Sequence, residues 1–273
     1  MLFILKIVLF LYRKYIEKQR IPEDKIPFGA IDNPSPFEKI APSPVIQVNM
    51  PEEFCLYEKA KALGWKPQKQ SLNSCTGYSR ITIAEIQNTI WNGTAISLDG
   101  EKQWEEQEKT GGNRSWGDTI QNAWNIFNKF CQGFPETEHR RINDVSVDVL
   151  KRWLLLGRPI STGMKWRWLS TNRMMNYKLM QQTGYYQPGT GKHYSGHADH
   201  IVGWSDSRGA FKIQESELEK WGKGEDKGIC WVKYENIKGL MSMRISFDEI
   251  DKEYLVKGKK FAVSRSNGKV SVA

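Results

Sequence analysis

Cys75 begins a run, CTGYSRITIAEIQNTIW, whose apolar spacing predicts a largely buried helix over 75–91. A thiol at a helix start lies beside backbone N–H groups without helical partners and at the positive end of the helix dipole, and both favour the thiolate. Because a thiolate that attacks an amide must hand a proton to the leaving amine, it needs an acid nearby, and imidazole suits that role near neutral pH. A lone cysteine at a helix start is, however, more often a small buried residue.

The chain offers few imidazoles: His139, His193, His197 and His200. His197 stands at the start of GHADHIVGW (196–204), a run typical of a strand, and is the candidate partner of Cys75. A third polar group usually orients such an imidazole. His200 is expected to be structural, because the alternation of side chains along a strand turns it away from His197 or into the core.

Helices dominate the first half of the sequence and strands the second. Besides the Cys75 helix, apolar periodicity predicts helices over 117–133 and over 146–157, the latter with Ser146 as N-cap and Gly157 at its end. After Gly157, short runs rich in β-branched and aromatic residues predict strands: RPISTGM, HADHIVGW, AFKIQ, GICWVKYENI, MRISF and KFAVSR. This order indicates an α+β fold.

Charge and cysteine content narrow the class of function. The net charge is +9, but the basic residues are spread along the 273-residue chain and no nucleic-acid motif accompanies them, so no nucleic-acid partner is expected. The 4 cysteines lie far apart and form neither a CxxC pair nor a disulfide framework. No zinc site is expected from so few histidines, and the chemistry above requires no cofactor.

The N-terminal region divides into two segments. Residues 1–20 are predicted to form an apolar and basic helix; the apolar run from Leu2 to Tyr12, broken by Lys6, is too short to span a bilayer. Packing on the protein, contact of residues 1–15 with a membrane surface, and a signal or anchor role all stay open. Residues 21–64 form a proline-rich stretch that is expected to be an extended arm or linker on the surface.

Three motifs, in the matching order, resemble those of the papain-like (C1 family) cysteine peptidases. NSCTGYS (73–79) resembles the nucleophile motif GSCWAFS, and Glu85 falls where that family has a glutamate later in the helix. GHADHIVGW resembles GHAVAIVGY, which carries the catalytic histidine. QESELEKWG (214–222) follows the frame of KNSWGxxWGxxG, with Glu215 in place of the asparagine.

The resemblance implies a two-lobed α+β fold within a peptidase domain of 65–273. The helical lobe would cover about 75–157 and a barrel-like antiparallel β lobe about 158–273. It also implies that Cys75 is the nucleophile, that His197 protonates the leaving amine, and that Glu215 orients His197 during amide hydrolysis through a thioester.

Softer matches imply substrate-binding residues. TGGNRSWG (110–117) resembles the glycine loop that binds the substrate backbone, which makes Gly111 and Gly112 candidates. Trp221 falls at the second Trp-Gly pair of the third motif and is a further substrate-binding candidate.

The oxyanion glutamine of the family is displaced. It should lie six residues before the cysteine, where this chain has Lys69, and a one-residue shift would bring Gln70 into that role in preference to Gln68. The Gln70 amide would then share the oxyanion with the Cys75 backbone N–H. Thr76 replaces the tryptophan that follows the nucleophile.

The orienting group and its cover also differ from the family pattern. A carboxylate at Glu215 accepts the imidazole N–H as well as an amide oxygen does, and its charge should raise the pKa of His197. Glu217 replaces the tryptophan that shields this hydrogen bond. The shield is therefore missing or is supplied by another aromatic residue, with three candidates: Trp166, Trp168 and Trp204.

The motifs predict a papain-like cysteine endopeptidase that acts on protein or peptide substrates. Two alternatives stay open: a papain-like binding or structural protein that has lost catalysis, and a thiol hydrolase of peptidoglycan cross-links or isopeptide bonds. The compact form suits a bacterial or phage-encoded protein, in the cytoplasm or on a virion rather than secreted. If the proline-rich arm restrains the enzyme, deleting residues 1–50 should raise its activity.

Overall fold

The computed structural model describes residues 30–31, 38–44, 49–71, 73–114, 117–130, 138–167, 176–191, 193–218, 228–247, 264–266 and 269–271. The N-terminal helix predicted at 1–20, the helix end at Gly133 and the candidate Trp221 lie outside these residues. Within the described part of the chain, no helix is both long and apolar enough to span a bilayer.

The helices are α1 (Leu56–Ala62), α2 (Cys75–Asn92), α3 (Gly100–Glu108), α4 (Ile120–Phe130), α5 (Val147–Leu155) and α6 (Asn176–Thr183). Three of them, α2, α4 and α5, lie at the predicted places. Ser146 is the N-cap of α5, and Gly157 adopts a φ of +76° just beyond its end. The other three were not predicted, because α1 and α3 are short and rich in charged residues and α6 lies between strands.

Helix α2 is the central helix of the helical lobe. Every residue from Cys75 to Gln87 is buried, so the helix is enclosed on all sides. Just before it, Asn73 adopts a left-handed φ of +55°, and its side-chain amide donates to the carbonyl of Arg114. This turn lets the chain enter the helix with Cys75 as its first residue.

The strands are β1 (Ala30–Ile31), β2 (Glu53–Cys55), β3 (Asp118–Thr119), β4 (Glu138–Arg141), β5 (Ile160–Arg167), β6 (Tyr185–Tyr186), β7 (His193–Ser205), β8 (Ala210–Gln214), β9 (Ile229–Lys233), β10 (Arg244–Phe247), β11 (Ser264–Ser266) and β12 (Lys269–Ser271). Eight of them form one sheet in the order β4-β10-β5-β7-β8-β9-β6, with β2 added at β7. Its pairs are antiparallel except β6 with β9. The helices together with this sheet give the predicted α+β fold.

Strand β7 is the centre of the β lobe. It pairs with β5 and with β8, and its last residues also pair with β2, where a side chain at Gly203 would collide with the backbone of Phe54. Its neighbours hold it on both edges, so the side chains that alternate along β7 have fixed directions. Those on one face point toward α2 and the start of that helix.

The segment predicted as a proline-rich arm contributes to the body of the protein. Its end forms β2 and α1, and residues 38–41 run beside β4. Glu38 forms a two-pronged ion pair with Arg244, at 2.5 and 3.2 Å, and both side chains are only 1% exposed. Because a buried cation is costly without its counter-ion, Glu38 belongs to the folded body rather than to a detachable tail.

Candidate active site

The start of α2 meets β7 at the thiol of Cys75. Cys75 is 1% exposed, and its Sγ accepts a hydrogen bond from the backbone N–H of Ala198 at 3.4 Å. The ring of His197, the preceding residue of β7, is hydrogen-bonded to the Cys75 side chain. Cys75 and His197, the predicted nucleophile and its acid, are therefore in contact although they lie 122 residues apart in the sequence.

Glu215, just after β8, lies on the other side of the imidazole. Its Oε2 is 2.9 Å from Nε2 of His197, and its Oε1 accepts from the thiol of Cys230 at 3.5 Å. The carboxyl group is fully buried. Cys75, His197 and Glu215 thus form a continuous chain of contacts in the order that the sequence predicted for nucleophile, acid and orienting group.

Asp199 is a fourth polar group at this position, and the motifs did not indicate it. Its Oδ1 lies 3.5 Å from Nε2 of His197, and its Oδ2 accepts the backbone N–H of Met164 at 3.2 Å. Residues 197 and 199 share one face of β7 because side chains alternate along a strand. That alternation is the signal that could have found Asp199.

The charges around His197 oppose its burial. Burial alone would lower the pKa of the imidazole, but the carboxyl groups of Asp199 and Glu215 outweigh it and hold the pKa of His197 well above its usual range. The imidazolium form is therefore stabilised at neutral pH, as a thiolate–imidazolium pair requires.

Donor atoms of His197, Asp199 and Glu215 lie within 4.8 Å of one another, a spacing that a metal ion could also use. The ring nitrogen and the Glu215 carboxylate oxygen are, however, already within hydrogen-bond distance of each other at 2.9 Å. Two groups at that distance can share a proton directly, with no ion between them. We therefore interpret the cluster as a proton-sharing one.

Trp166 covers the imidazole. It lies on β5, next to β7, and stacks on His197 with ring centroids 6.3 Å apart and planes inclined by 24°. Of the other two tryptophans considered for the shield, Trp204 instead stacks on Phe54 at 4.9 Å, and Trp168 lies outside the described residues.

The two glutamines near Cys75 have different environments. Gln68 donates to Glu85 at 2.7 Å and accepts from the backbone N–H of Gly100, which ties it to the far side of α2. Gln70 instead lies against the residue after Glu215: its backbone N–H donates to the Ser216 carbonyl at 2.9 Å, and its side-chain oxygen accepts from the Ser216 hydroxyl. These contacts place Gln70 beside Ser216, and its oxyanion role stays a prediction.

The glycine pair lies at the end of α3. Gly111 is exposed with a φ of +123°, whereas Gly112 is buried and its backbone N–H donates to the carbonyl of Gln107 at 2.9 Å. The Gln107 side chain continues to the hydroxyl of Thr76, the residue after the nucleophile, at 3.0 Å. The glycines thus brace the loop that leads from α3 toward β3.

The edge of β3 already carries an extended segment of the chain itself. Ala30 and Ile31 pair in parallel with Asp118 and Thr119. Ala30 packs in the same apolar cluster as Cys75, and a side chain at Gly196 would collide with the Ala30 carbonyl. Residues 30–31 therefore lie between β3 and β7, in the apolar cluster that contains Cys75, and they contribute to its burial.

His200 has the structural place that the alternation along β7 predicts. It is fully buried, its Nδ1 lies 3.4 Å from the hydroxyl of Ser79, and it is directed away from Cys75. Burial lowers the pKa of His200 to about 3, so the ring is neutral at physiological pH.

Solved structures that resemble this chain are cysteine proteases. Xylellain, a cysteine protease from Xylella fastidiosa, has a TM-score of 0.62 and 17% identity over 82% of this chain and 97% of its own. Procathepsin B S9 from Trypanosoma congolense has a TM-score of 0.60 and 14% identity over 83% of this chain and 88% of its own. The Carica candamarcensis protease CMS1MS2, solved with E-64, has a TM-score of 0.53 and 15% identity over 72% and 99%.

No family model matches the chain, and no curated protein matches it in sequence. At these identities the structural similarity establishes the fold. The chain has the papain-like cysteine-protease fold that its motifs predicted.

Proposed function

We propose that the protein is a thiol peptidase that hydrolyses peptide bonds inside a polypeptide chain. The Cys75 thiolate attacks the carbonyl carbon, and the Cys75 backbone N–H with the amide of Gln70 stabilises the oxyanion. His197 then gives its proton to the departing amine, which leaves a thioester on Cys75. Water, deprotonated by His197, releases the acid product and restores the thiol pair.

The observation that carries this proposal is the continuous contact from Cys75 through His197 to Glu215. A cysteine that were only structural would need no imidazole beside it. An imidazole that were only structural would more often be buried in its neutral form, as His200 is. At His197 the chain instead buries two carboxyl groups against the ring, and such an arrangement favours the charged form that proton transfer to an amine requires.

The arm in the cleft supports a peptide as the ligand. An extended segment at 30–31 pairs with the β3 edge beside Cys75, so this edge binds polypeptide backbone. In the sequence, this segment is internal, with further residues before and after it. An edge that binds an internal segment of a chain, rather than a chain end, suits an endopeptidase.

The test is hydrolysis of a mixed peptide library by the wild type and by Cys75→Ala, with products sequenced by mass spectrometry. The proposal expects cleavage at internal bonds by the wild type and background cleavage by the variant. If both proteins leave the library intact, including with the arm removed, the fold serves a binding or structural role instead. Cleavage at chain ends alone would contradict the endopeptidase assignment.

A further inference from the structure

We propose that Asp199 is a positioning residue that acts through Glu215: the two carboxyl groups share one proton, and this fixes Glu215 as the single charged acceptor facing Nε2 of His197. The inference deepens the proposed peptidase function and rests on it. It concerns a group that does not touch the substrate.

Three buried polar atoms converge at this point: Nε2 of His197, Oδ1 of Asp199 and Oε2 of Glu215. Asp199 is 1% exposed and Glu215 is fully buried. Among the described residues, no hydrogen bond of good geometry reaches Oδ1 of Asp199 or Oε2 of Glu215, and the ring nitrogen of His197 is a donor that lies within 3.5 Å of both. The ring can supply one proton, so two acceptors compete for it unless a second proton is present.

The second proton must sit between the carboxyl groups. Two adjacent buried carboxylates repel each other strongly, so one of a pair normally keeps its proton. Glu215 is the nearer to the imidazole, at 2.9 Å against 3.5 Å, and gains more from staying charged. Asp199 is therefore the proton holder, with its carboxyl oxygen within 4.8 Å of that of Glu215.

The surroundings of Asp199 agree with a neutral carboxyl. The groups that face it are His197 on its own strand, Cys75 from α2, Glu215 after β8, Cys230 from β9 and the Met164 N–H from β5. In the described part of the chain, neither carboxyl forms an ion pair with a lysine or an arginine. Burial, and next the charge of Glu215, raise the pKa of Asp199 well above its usual range.

Two departures from the family motifs thus fall on side chains that touch. Where GHAVAIVGY has valine, this chain has Asp199, and where KNSWG has asparagine, it has Glu215. A carboxylate at 215 alone could turn either oxygen toward the ring or away from it. A protonated carboxyl at 199 occupies one direction and leaves the other for His197, which explains why both substitutions occur together.

Four variants of the full chain test this: Asp199→Asn, Asp199→Val, Asp199→Val with Glu215→Gln, and Glu215→Gln. The readouts are kcat and KM on a cleaved peptide from pH 5 to 10. A second readout, independent of turnover, is the rate at which iodoacetamide alkylates Cys75 over the same pH range, measured by peptide mass spectrometry. Thr162→Val is the matched control, because its hydroxyl is buried opposite Asp199 on β5 but bonds to the Met241 carbonyl.

We expect Asp199→Asn, a neutral donor, to keep kcat near neutral pH within about threefold of the wild type. Because the amide at position 199 cannot ionise at high pH, the alkaline limbs of the kcat profile and of the alkylation profile should lie about one pH unit lower than in the wild type. Asp199→Val should lower kcat about tenfold or more with little change in KM, and this loss should largely vanish in the Glu215→Gln background. Thr162→Val should lower the Tm but leave both profiles in place.

The inference is overturned if Asp199→Asn lowers kcat as much as Asp199→Val, or if neither variant moves the alkaline limb. It is also overturned if the Asp199→Val loss is the same in both backgrounds. Its failure is distinct from that of the proposed function. If the protein cleaves no peptide but its alkylation profile shifts as expected, the carboxyl pair is supported and the peptidase assignment fails. If the variants cleave peptides but neither profile shifts, the peptidase assignment is supported and the carboxyl pair fails.

Discussion

Trp166 stacks on His197 with ring centroids 6.3 Å apart, and this position makes it the candidate for the shielding role of the tryptophan that Glu217 replaces. It reaches the imidazole from β5, the strand beside β7, rather than from the loop after Glu215. An aromatic ring against the imidazole would keep water from competing for the contact between His197 and Glu215, and so would strengthen it.

Replacing Trp166 should therefore weaken the orientation of His197 more than substrate binding. We expect Trp166→Ala to lower kcat about tenfold, since the exposed bond loses its low-dielectric cover. Trp166→Phe, which keeps a smaller ring, should lose less. Steady-state kinetics on one peptide, with Tm measured in parallel, checks this. Equal kcat in all three proteins would show that the stacking is only structural.

The charge of Glu215 should set the alkaline limit of activity. The pKa of His197 is raised, against the effect of burial, by the carboxyl pair of Asp199 and Glu215, whose shared negative charge we place on Glu215, so the active imidazolium persists above pH 6.5 and is lost as the pH rises through the folded-state value. Glu215→Gln keeps an acceptor but removes the charge, and should bring the alkaline limb of kcat/KM down by about one unit or more. Glu215→Leu, which removes the acceptor as well, should lower kcat further at every pH. An alkaline limb that stays in place in Glu215→Gln would mean that Glu215 does not act on His197 electrostatically.

The sequence predicted those site residues that lie in a recognisable motif, at the place along the chain where the order of the motifs puts it. Cys75, His197 and Glu215 each stand in a recognisable run: Cys75 at the start of α2, His197 within β7 and Glu215 just after β8. Asp199 and Trp166 could not be identified in this way, because their roles depend on which strands are neighbours and in what register. Gln70 could be predicted only in part, because the sequence offered two glutamines near the expected position. The structure distinguishes them: Gln68 contacts Glu85, whereas Gln70 contacts Ser216.

The helices and strands likewise divide into those that the local sequence predicted and those that it did not. Long apolar periodicity predicted α2, α4 and α5, since a buried stripe leaves a clear pattern. The proline content of 21–64 predicted an extended arm, and the pattern gave no sign of β2 and α1 at its end. Those two elements are held by β7 and the core, that is, by tertiary contacts rather than by local preference.

Removing the arm should release the active site. Ala30 packs in the apolar cluster of Cys75, whereas Glu38 neutralises the buried Arg244, so the deletion should end before residue 38. We expect a chain without residues 1–37 to cleave peptides faster than the full chain, and a chain without residues 1–20 to match the full chain. Deleting 1–50 should also cost stability, about 3 kcal/mol, because it leaves the Arg244 charge unpaired.

The comparison of these three truncations uses kcat/KM for activity and urea unfolding for stability. Turnover that is unchanged on removing residues 1–37 would show that the segment in the cleft does not restrain the enzyme. A chain without residues 1–50 that is as stable as the one without 1–37 would contradict the role assigned to Glu38.

Glu85, inside α2, should make stability depend on pH. Its carboxyl accepts from Trp65 at 2.9 Å, from Gln68 at 2.7 Å and from the Leu98 N–H at 2.6 Å, yet burial raises its pKa to about 7. The unfolded chain releases this proton near pH 4.5, so the folded state holds more protons between there and pH 7. The free energy of unfolding should therefore fall across that window, by up to about 3 kcal/mol from this group.

Urea unfolding of the wild type and Glu85→Gln at pH 5 and pH 8 checks the role of Glu85. The variant has no proton to lose, so its deficit relative to the wild type should be larger at pH 5 than at pH 8. The exposed Glu105→Gln on α3 serves as the control and should show no such difference. A deficit for Glu85→Gln that does not change with pH would show that Glu85 does not titrate in this range.

The central claim is that Cys75, paired with His197, is the reactive thiol of this chain. The most direct measurement is the labelling rate of each cysteine by a peptidyl vinyl sulfone in the chain without residues 1–37, resolved by mass spectrometry. We predict that Cys75 is labelled at least 100-fold faster than Cys55 or Cys131, and that His197→Ala abolishes the difference, since removing a general acid–base group typically costs about 100-fold or more. Labelling of Cys75 no faster than that of Cys55 or Cys131 would contradict the account.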